Sequence, residues 1–317
     1  MNESSFSVKT DDGTDVFVYR WQPAGRCTAV LQIIHGLAEH AGRYRRLAEA
    51  LTAAGYGVYA SDLRGHGRTA SSPADLGFFA GHNGWRKCLN DIWELNQRIA
   101  GENPGAPIIV LGHSMGATFA RQFMAEHGDS LAGVVLSGCG GQPTSLALAG
   151  RLVARLEKLR VGARGRSGLI QSLTFDTFNK PFEPARTRFD WLSRDPSEVD
   201  RYVADPLCGF NATVQLWIDM LDALPGIAKS CAGIPGKLPI YVISGSRDPV
   251  SAGTKLLEPM LKQYRAAGLK VEHKFYPEAR HEVLNETSRQ EVTTDLLHWL
   301  GWVIRADSTA TTIVKAR

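Results

Sequence analysis

Near the start of the chain, residues 6–9 and 15–21 alternate apolar and polar positions, with Asp11-Asp12-Gly13 between them. Period-two alternation marks half-buried strands and Asp-Gly marks a tight turn, so this pattern predicts an antiparallel hairpin. The rhythm then changes to strand followed by helix. A mostly apolar run at residues 29–34, closed by His35-Gly36, reads as a fully buried strand. Helical spacing follows at 44–54, a strand at 57–61, a helix at 85–99, a strand at 107–111, a helix at 115–126 and a strand at 131–136. From 140 to 237 the alternation stops, and the chain is helix-like, irregular and rich in aromatics such as Phe175, Phe178, Trp191 and Trp217. It resumes with a strand at 239–244, a helix at 252–267, a strand at 270–276 and a helix at 288–303. Strands alternating with helices imply an α/β fold, a mostly parallel central sheet covered on both faces. The expected organisation is a core at 1–140 and 238–305, an inserted helical cap at 141–237 over one sheet edge, and a flexible tail at 306–317.

Bulk properties narrow the class only a little. The 317 residues carry a formal net charge of +4, too little to argue for a nucleic-acid partner. The five cysteines are odd in number and scattered, with no Cys-x-x-Cys pair, which favours a reducing compartment over a disulfide scaffold or zinc site. The first residues, Met-Asn-Glu-Ser-Ser-Phe, lack the basic-then-apolar pattern of a secretory signal, and no apolar run is long enough to span a bilayer. The expectation is a cytoplasmic protein.

Gly112-His113-Ser114-Met115-Gly116 matches G-x-S-x-G, a weak signal alone and a strong one between a strand and a helix. There the turn forces the serine into strained backbone angles, and the flanking glycines let strand and helix approach closely. The hydroxyl then projects above the sheet, and the Met115 amide points to where an oxyanion would form. The blander reading is a surface Ser-Gly turn. The strand at 29–34 runs into His35-Gly36-Leu37, where this kind of fold supplies a second oxyanion donor, the Leu37 amide. A metal reading of His35 and His40 fails because no His-Glu-x-x-His is present.

A serine nucleophile needs a base, and the base an acid to orient it, in the chain order Ser, Asp or Glu, His. The strand at 239–244 leads into Asp248, and the strand at 270–276 leads into His281. His273 lies within a strand and His298 on the last helix, so His281 is the base. Glu278 and Glu282 share its loop and are poorly placed to grip its far nitrogen, which leaves Asp248 as the acid. For Asp248 the alternative is a turn aspartate before proline.

These residues together resemble the monoacylglycerol lipase and lysophospholipase-like branch of the α/β-hydrolases, which includes serine aminopeptidase-like hydrolases. The matching motifs are His35-Gly36-Leu37-Ala38-Glu39-His40 with Arg43-Tyr44, Ser61-Asp62-Leu63-Arg64-Gly65-His66-Gly67-Arg68, the serine motif, Asp205-Pro206-Leu207, Gly245-Ser246-Arg247-Asp248, and His281-Glu282-Val283-Leu284-Asn285-Glu286. The resemblance covers about residues 5 to 303. It implies the triad Ser114, Asp248 and His281, the oxyanion amides of Leu37 and Met115, a cap bearing a lipid pocket, and internal partners for Asp62 and Arg64. Two departures stand out: Ala117 replaces a common second glycine, and Ser137-Gly138-Cys139-Gly140-Gly141 is richer in glycine than usual.

The expected activity is hydrolysis of carboxylic esters of single-chain lipids, a monoacylglycerol or a lysophospholipid, through an acyl-enzyme and with no cofactor. The alternatives are a small-ester carboxylesterase, a serine aminopeptidase using Asp190, Asp195, Glu198 or Asp200 to hold an ammonium, and a non-catalytic ligand receptor. Leu146, Leu148, Leu152, Val153, Leu156 and Leu159 recur at near-helical spacing among Arg151, Arg155, Lys158, Arg160, Arg164 and Arg166. Such a helix can lie on an anionic membrane surface. The simpler reading is a cap helix whose apolar face covers the pocket while its charges are solvated.

Overall fold

The computed structural model describes residues 1–141 and 145–315, except for the side chains at 145–148 and 307–315. The strands are β1 (Asn2–Lys9), β2 (Asp15–Gln22), β3 (Ala29–Ile34), β4 (Tyr56–Ser61), β5 (Ile108–His113), β6 (Gly133–Ser137), β7 (Ile240–Gly245) and β8 (Val271–Tyr276). They form one sheet in the order β1-β2-β4-β3-β5-β6-β7-β8. The hairpin β1–β2 joins antiparallel to β4, and the strands from β4 to β8 run parallel.

Helices α1 (Arg45–Ala53), α2 (Gly84–Glu102), α3 (Met115–His127), α9 (Leu257–Ala266) and α10 (Arg289–Lys315) alternate with the strands, and α4 (Ser145–Val161), α5 (Gly168–Leu173), α6 (Phe175–Asn179), α7 (Pro196–Ala204) and α8 (Val214–Lys229) lie between β6 and β7. Strands β3 to β7 are buried at every position, because alternate side chains feed two cores. Val110, Val134, Leu136, Ile240 and Val242 pack on the α2, α3 and α9 side. Ile109, Leu111, Val135, Tyr241 and Ile243 meet α1 and α10 on the other. A strand covered on both faces is mostly apolar at consecutive positions, which is why these strands read as runs rather than as alternation.

Three local outcomes differ from the sequence reading. Helix α9 starts at Leu257 rather than 252, because Ala252, Gly253 and Thr254 all take positive φ (52°, 65° and 74°) and a right-handed helix cannot run through them. Helix α10 continues to Lys315 across the proposed tail, in a stretch from 302 onward that holds neither glycine nor proline. In α4 three of the leucines face outward: Leu152, Leu156 and Leu159 are 64%, 57% and 85% exposed, while Ala154 is fully buried. These three leucines do not cover the pocket, as the simpler reading expected of the apolar face; Leu146 and Leu148 lie outside the described side chains.

The chain steps from β3 outward to β4, then returns to the other side of β3 with β5. At such a reversal the loops leaving the two central strands diverge and open a crevice at their carboxyl ends. His35-Gly36-Leu37 leaves β3 there and Ser114 leaves β5.

Candidate active site

Ser114 stands at the turn between β5 and α3 with φ 53° and ψ −116°, a conformation costly for a residue with a Cβ. The turn is held by crowding on both sides. A Cβ on Gly116 would lie 2.0 Å from the Ile34 carbonyl oxygen, and one on Gly112 would lie 2.3 Å from the Gly116 oxygen. The Ser114 N–H donates to the Ser137 carbonyl at 2.9 Å, tying the turn to β6. Ala117, the departure from glycine, is fully buried beside it. Among the described residues, neither the Leu37 nor the Met115 amide N–H finds a protein acceptor, so both donors are free for a ligand oxygen.

Asp248 and His281 lie on the loops after β7 and β8, parallel neighbours whose last residues Gly245 and Tyr276 pair. Both loops leave the same end of the sheet, and the two side chains meet although they are 33 positions apart. The His281 Nδ1–H donates to Asp248 Oδ1 at 2.9 Å. Asp248 is fully buried and accepts in addition the Val250 N–H at 2.9 Å and the Ser244 hydroxyl at 3.2 Å. With Nδ1 carrying the proton, Nε2 is left as the acceptor, the tautomer a general base needs. Burial pushes the His281 imidazole down, but the Asp248 carboxylate, helped by Glu282 and Glu39, outweighs it and holds the group above its ordinary value.

Ser114 and His281 line one cavity of about 240 Å³ without a direct hydrogen bond between them, a looseness common before substrate binds. Phe175, Phe178, Trp191, Trp217 and Leu221, from the segment between β6 and β7, complete its apolar wall. That segment is stitched to the His281 loop: the His281 N–H donates to the Trp191 carbonyl at 3.3 Å and the Glu282 N–H to Leu192 at 2.8 Å. The Trp191 and His281 rings lie 5.0 Å apart.

Sequence reasoning missed one cluster. Arg43 Nη1 donates to Glu39 Oε2 and Glu282 Oε1, and Nη2 to Glu282 Oε2, each at 2.7 Å, and all three side chains are shielded from solvent. Glu39 Oε1 also accepts the Gly36 N–H at 2.6 Å and the Tyr44 hydroxyl at 3.0 Å, which anchors the loop carrying Leu37. Glu282, weighed only as a rival acid, thus belongs to Arg43. The available signal was Glu39 four residues before Arg43, a helical ion-pair spacing.

His35 and His40 have structural posts. His35 accepts the Leu63 N–H on Nε2, and burial holds it neutral with a pKa lowered to about 3. Asp62 accepts the amides of Ala41 and Arg68, and Arg64 pairs with Asp91 at 2.6 Å and Asp12 at 2.7 Å, as internal partners. His40, Asp205 and Cys208 bring three ligand atoms within 4.8 Å of one another. They suit a cation poorly. His40 Nδ1 accepts the Gly42 N–H, its Nε2–H donates to Asp205, burial pushes the Cys208 thiol well up, and the Arg43 charge is close enough to act on that thiol.

The family profile Hydrolase_4, described as serine aminopeptidase, S33, matches residues 25–288. A monoacylglycerol lipase of Mycolicibacterium smegmatis is 32% identical over 291 residues, 88% of this chain and 90% of that protein. A human monoglyceride lipase is 28% identical over 305 residues, 95% of this chain and 90% of the relative. A thermostable carboxyl esterase of Bacillus coagulans, solved with glycerol, superposes with a TM-score of 0.87 at 24% identity, covering 96% of this chain and 99% of its own. At that identity the likeness speaks for the fold.

Proposed function

This chain belongs to the Hydrolase_4 family (serine aminopeptidase, S33) and is a serine hydrolase of carboxylic esters, and we propose that it cleaves single-chain lipid esters, a monoacylglycerol or a lysophospholipid, with Ser114, His281 and Asp248 as its triad. One observation carries the residue assignment: a serine in the strained turn after β5 shares an apolar cavity with a histidine whose tautomer is set by a buried aspartate. Substrate class is supported by the aromatic and aliphatic wall of that cavity and by the relatives' names. The helices between β6 and β7 then serve as a cap that covers the acyl chain.

In this reading His281 Nε2 takes the Ser114 proton as Oγ attacks the ester carbonyl. The Leu37 and Met115 amides receive the oxyanion, each such donor being worth about 10²–10³ in rate. His281 returns the proton to the leaving alcohol, and water repeats the sequence to free the fatty acid. The test is fatty-acid release from a monoacylglycerol and a matched lysophosphatidylcholine, wild type beside Ser114→Ala. Release that is lost in the variant supports the reading. Turnover retained by the variant overturns the serine's role.

The aminopeptidase alternative loses its anchor groups. Asp190 holds the 186–187 backbone, Asp195 and Arg289 pair, Glu198 pairs with Arg46 and Arg201, and Asp200 pairs with Arg186. None of the four lines the cavity. A reducing compartment accords with the five free cysteines.

Contact with a lipid surface completes the proposal. Leu152, Leu156 and Leu159 follow one another at helical spacing on the exposed side of α4, and Leu169 and Leu173 are exposed on α5. The nearby cations are largely spent on neighbours, Arg151 and Arg155 on Asp222 and Arg160 on Glu157, so the attraction is apolar more than electrostatic. Among the described residues no helix is long and apolar enough to cross a membrane. Co-sedimentation with neutral and anionic vesicles tests this; binding to both that is lost when the three α4 leucines become serine supports it, and binding to neither ends it.

A further inference from the structure

We infer that Glu282, held with Glu39 on Arg43, is a specificity-determining residue that excludes anionic head groups from the site, an inference that rests on the lipid-ester reading above.

The placement of charge carries it. Glu39 and Glu282 both line the cavity that holds Ser114, whereas no lysine or arginine does among the described residues. Arg43 lies behind the two carboxylates, with its guanidinium over the Tyr202 ring at 4.9 Å. Three of its N–H groups donate to those carboxylates, and Arg43 itself does not line the cavity. Two carboxylates on one guanidinium leave the cluster with one net negative charge in the wall of the cavity. The buried Asp248 carboxyl lies on the far side of His281, and burial pushes the neighbouring His113 imidazole down, away from a positive charge.

A phosphate entering this space sheds water and meets no lysine or arginine to replace it, a circumstance in which a charge is costly to bury. Repulsion by one uncompensated unit charge roughly 6 Å away, at an effective dielectric near 20, corresponds to about a hundredfold in affinity. A neutral glycerol head group escapes that penalty. A merely structural cluster would impair every substrate alike when broken; a specificity determinant alters the ratio between charged and neutral ones.

The test compares kcat/KM for 1-oleoylglycerol, 1-oleoylglycerol 3-phosphate and the dimethyl ester of that phosphate, all below their aggregation concentrations, in wild type and Glu282→Gln. The dimethyl ester keeps the size and removes the charge. Wild type should prefer oleoylglycerol over the phosphate by about a hundredfold, with the dimethyl ester recovering most of the difference. Glu282→Gln should narrow the gap to the charged substrate about tenfold or more and leave the ratio between the two neutral substrates unchanged. Similar wild-type rates on all three overturn the inference while sparing the lipase reading. So does a dimethyl ester as poor as the phosphate, or an unaltered ratio in a folded variant. Should Glu282→Gln fail to fold, the wild-type comparison of phosphate with dimethyl ester decides by itself. Absence of release from all three overturns the lipase reading and the inference with it.

Discussion

Replacing Arg43 by methionine removes the cation from between Glu39 and Glu282 while keeping much of the side-chain volume. Three charge-assisted hydrogen bonds of 2.7 Å disappear, and two buried carboxylates are left facing each other. Removing one partner of a buried ion pair costs about 3–5 kcal/mol, since the remaining charge keeps its desolvation penalty and loses its compensation. At about 2 °C per kcal/mol for a chain of this size, the melting point should fall by about 6–10 °C at pH 7.

The dependence on pH separates this account from simple loss of packing. In the wild type burial alone pushes both carboxyls up, but Arg43 outweighs it and holds Glu39 and Glu282 below the ordinary glutamate value. Groups lowered on folding contribute stability that is present above their unfolded value, near 4.3, and lost as pH falls through the lowered folded value. Without Arg43, burial and mutual repulsion push the carboxyls up instead, and at least one gains from taking a proton. The variant should therefore recover stability between pH 7 and pH 5, where the wild type does not gain from these groups. Denaturant unfolding followed by tryptophan fluorescence at both pH values reads the difference. A variant within about 1 kcal/mol of wild type at pH 7, or a deficit that grows on acidification, would refute the buried-charge argument.

Further consequences concern the turn and the triad. Gly116→Ala drives a methyl into the Ile34 carbonyl, 2.0 Å away; overpacking of this kind costs about 1–3 kcal/mol, and an ångström's displacement of Ser114 should lower kcat/KM about 10²-fold. Wild-type values of both the unfolding midpoint and kcat/KM would count against the crowded-elbow account. Asp248→Asn should leave the fold intact and cut kcat by about 10⁴, because an amide favours the wrong imidazole tautomer; a loss under tenfold would remove Asp248 from its role. The raised His281 value places the acid limb of kcat/KM above pH 6.5. The same group contributes stability in full below its unfolded value and loses it as pH rises through the raised folded value. An acid limb centred below pH 6 would contradict this.

Much of the fold was legible because its signals are local. Doubly covered strands are mostly apolar at consecutive positions, so β3 to β7 could be read one by one. The turn at Ser114 was legible for a similar reason: only glycine at 112 and 116 lets strand and helix come that close. Asp248 and His281 could be singled out as the proposed acid and base because each follows a readable strand, and the fold brings their side chains together.

What the sequence could not settle depends on contacts between distant segments. Whether the leucines of α4 face the pocket or the solvent turns on how the helix docks, since a helix has an apolar stripe in either case; Ala154, not Leu152 or Leu156, was buried. Helix α9 lost its first turn to a run of left-handed residues, two of them not glycine, that propensity does not foresee. Glu282 read as an ordinary loop carboxylate until the fold brought Arg43, 239 positions away, against it. Local patterns record which face of an element is buried. The partner a charge finds, and so the electrostatic character of the cavity, was decided only when the chain closed on itself and excluded water.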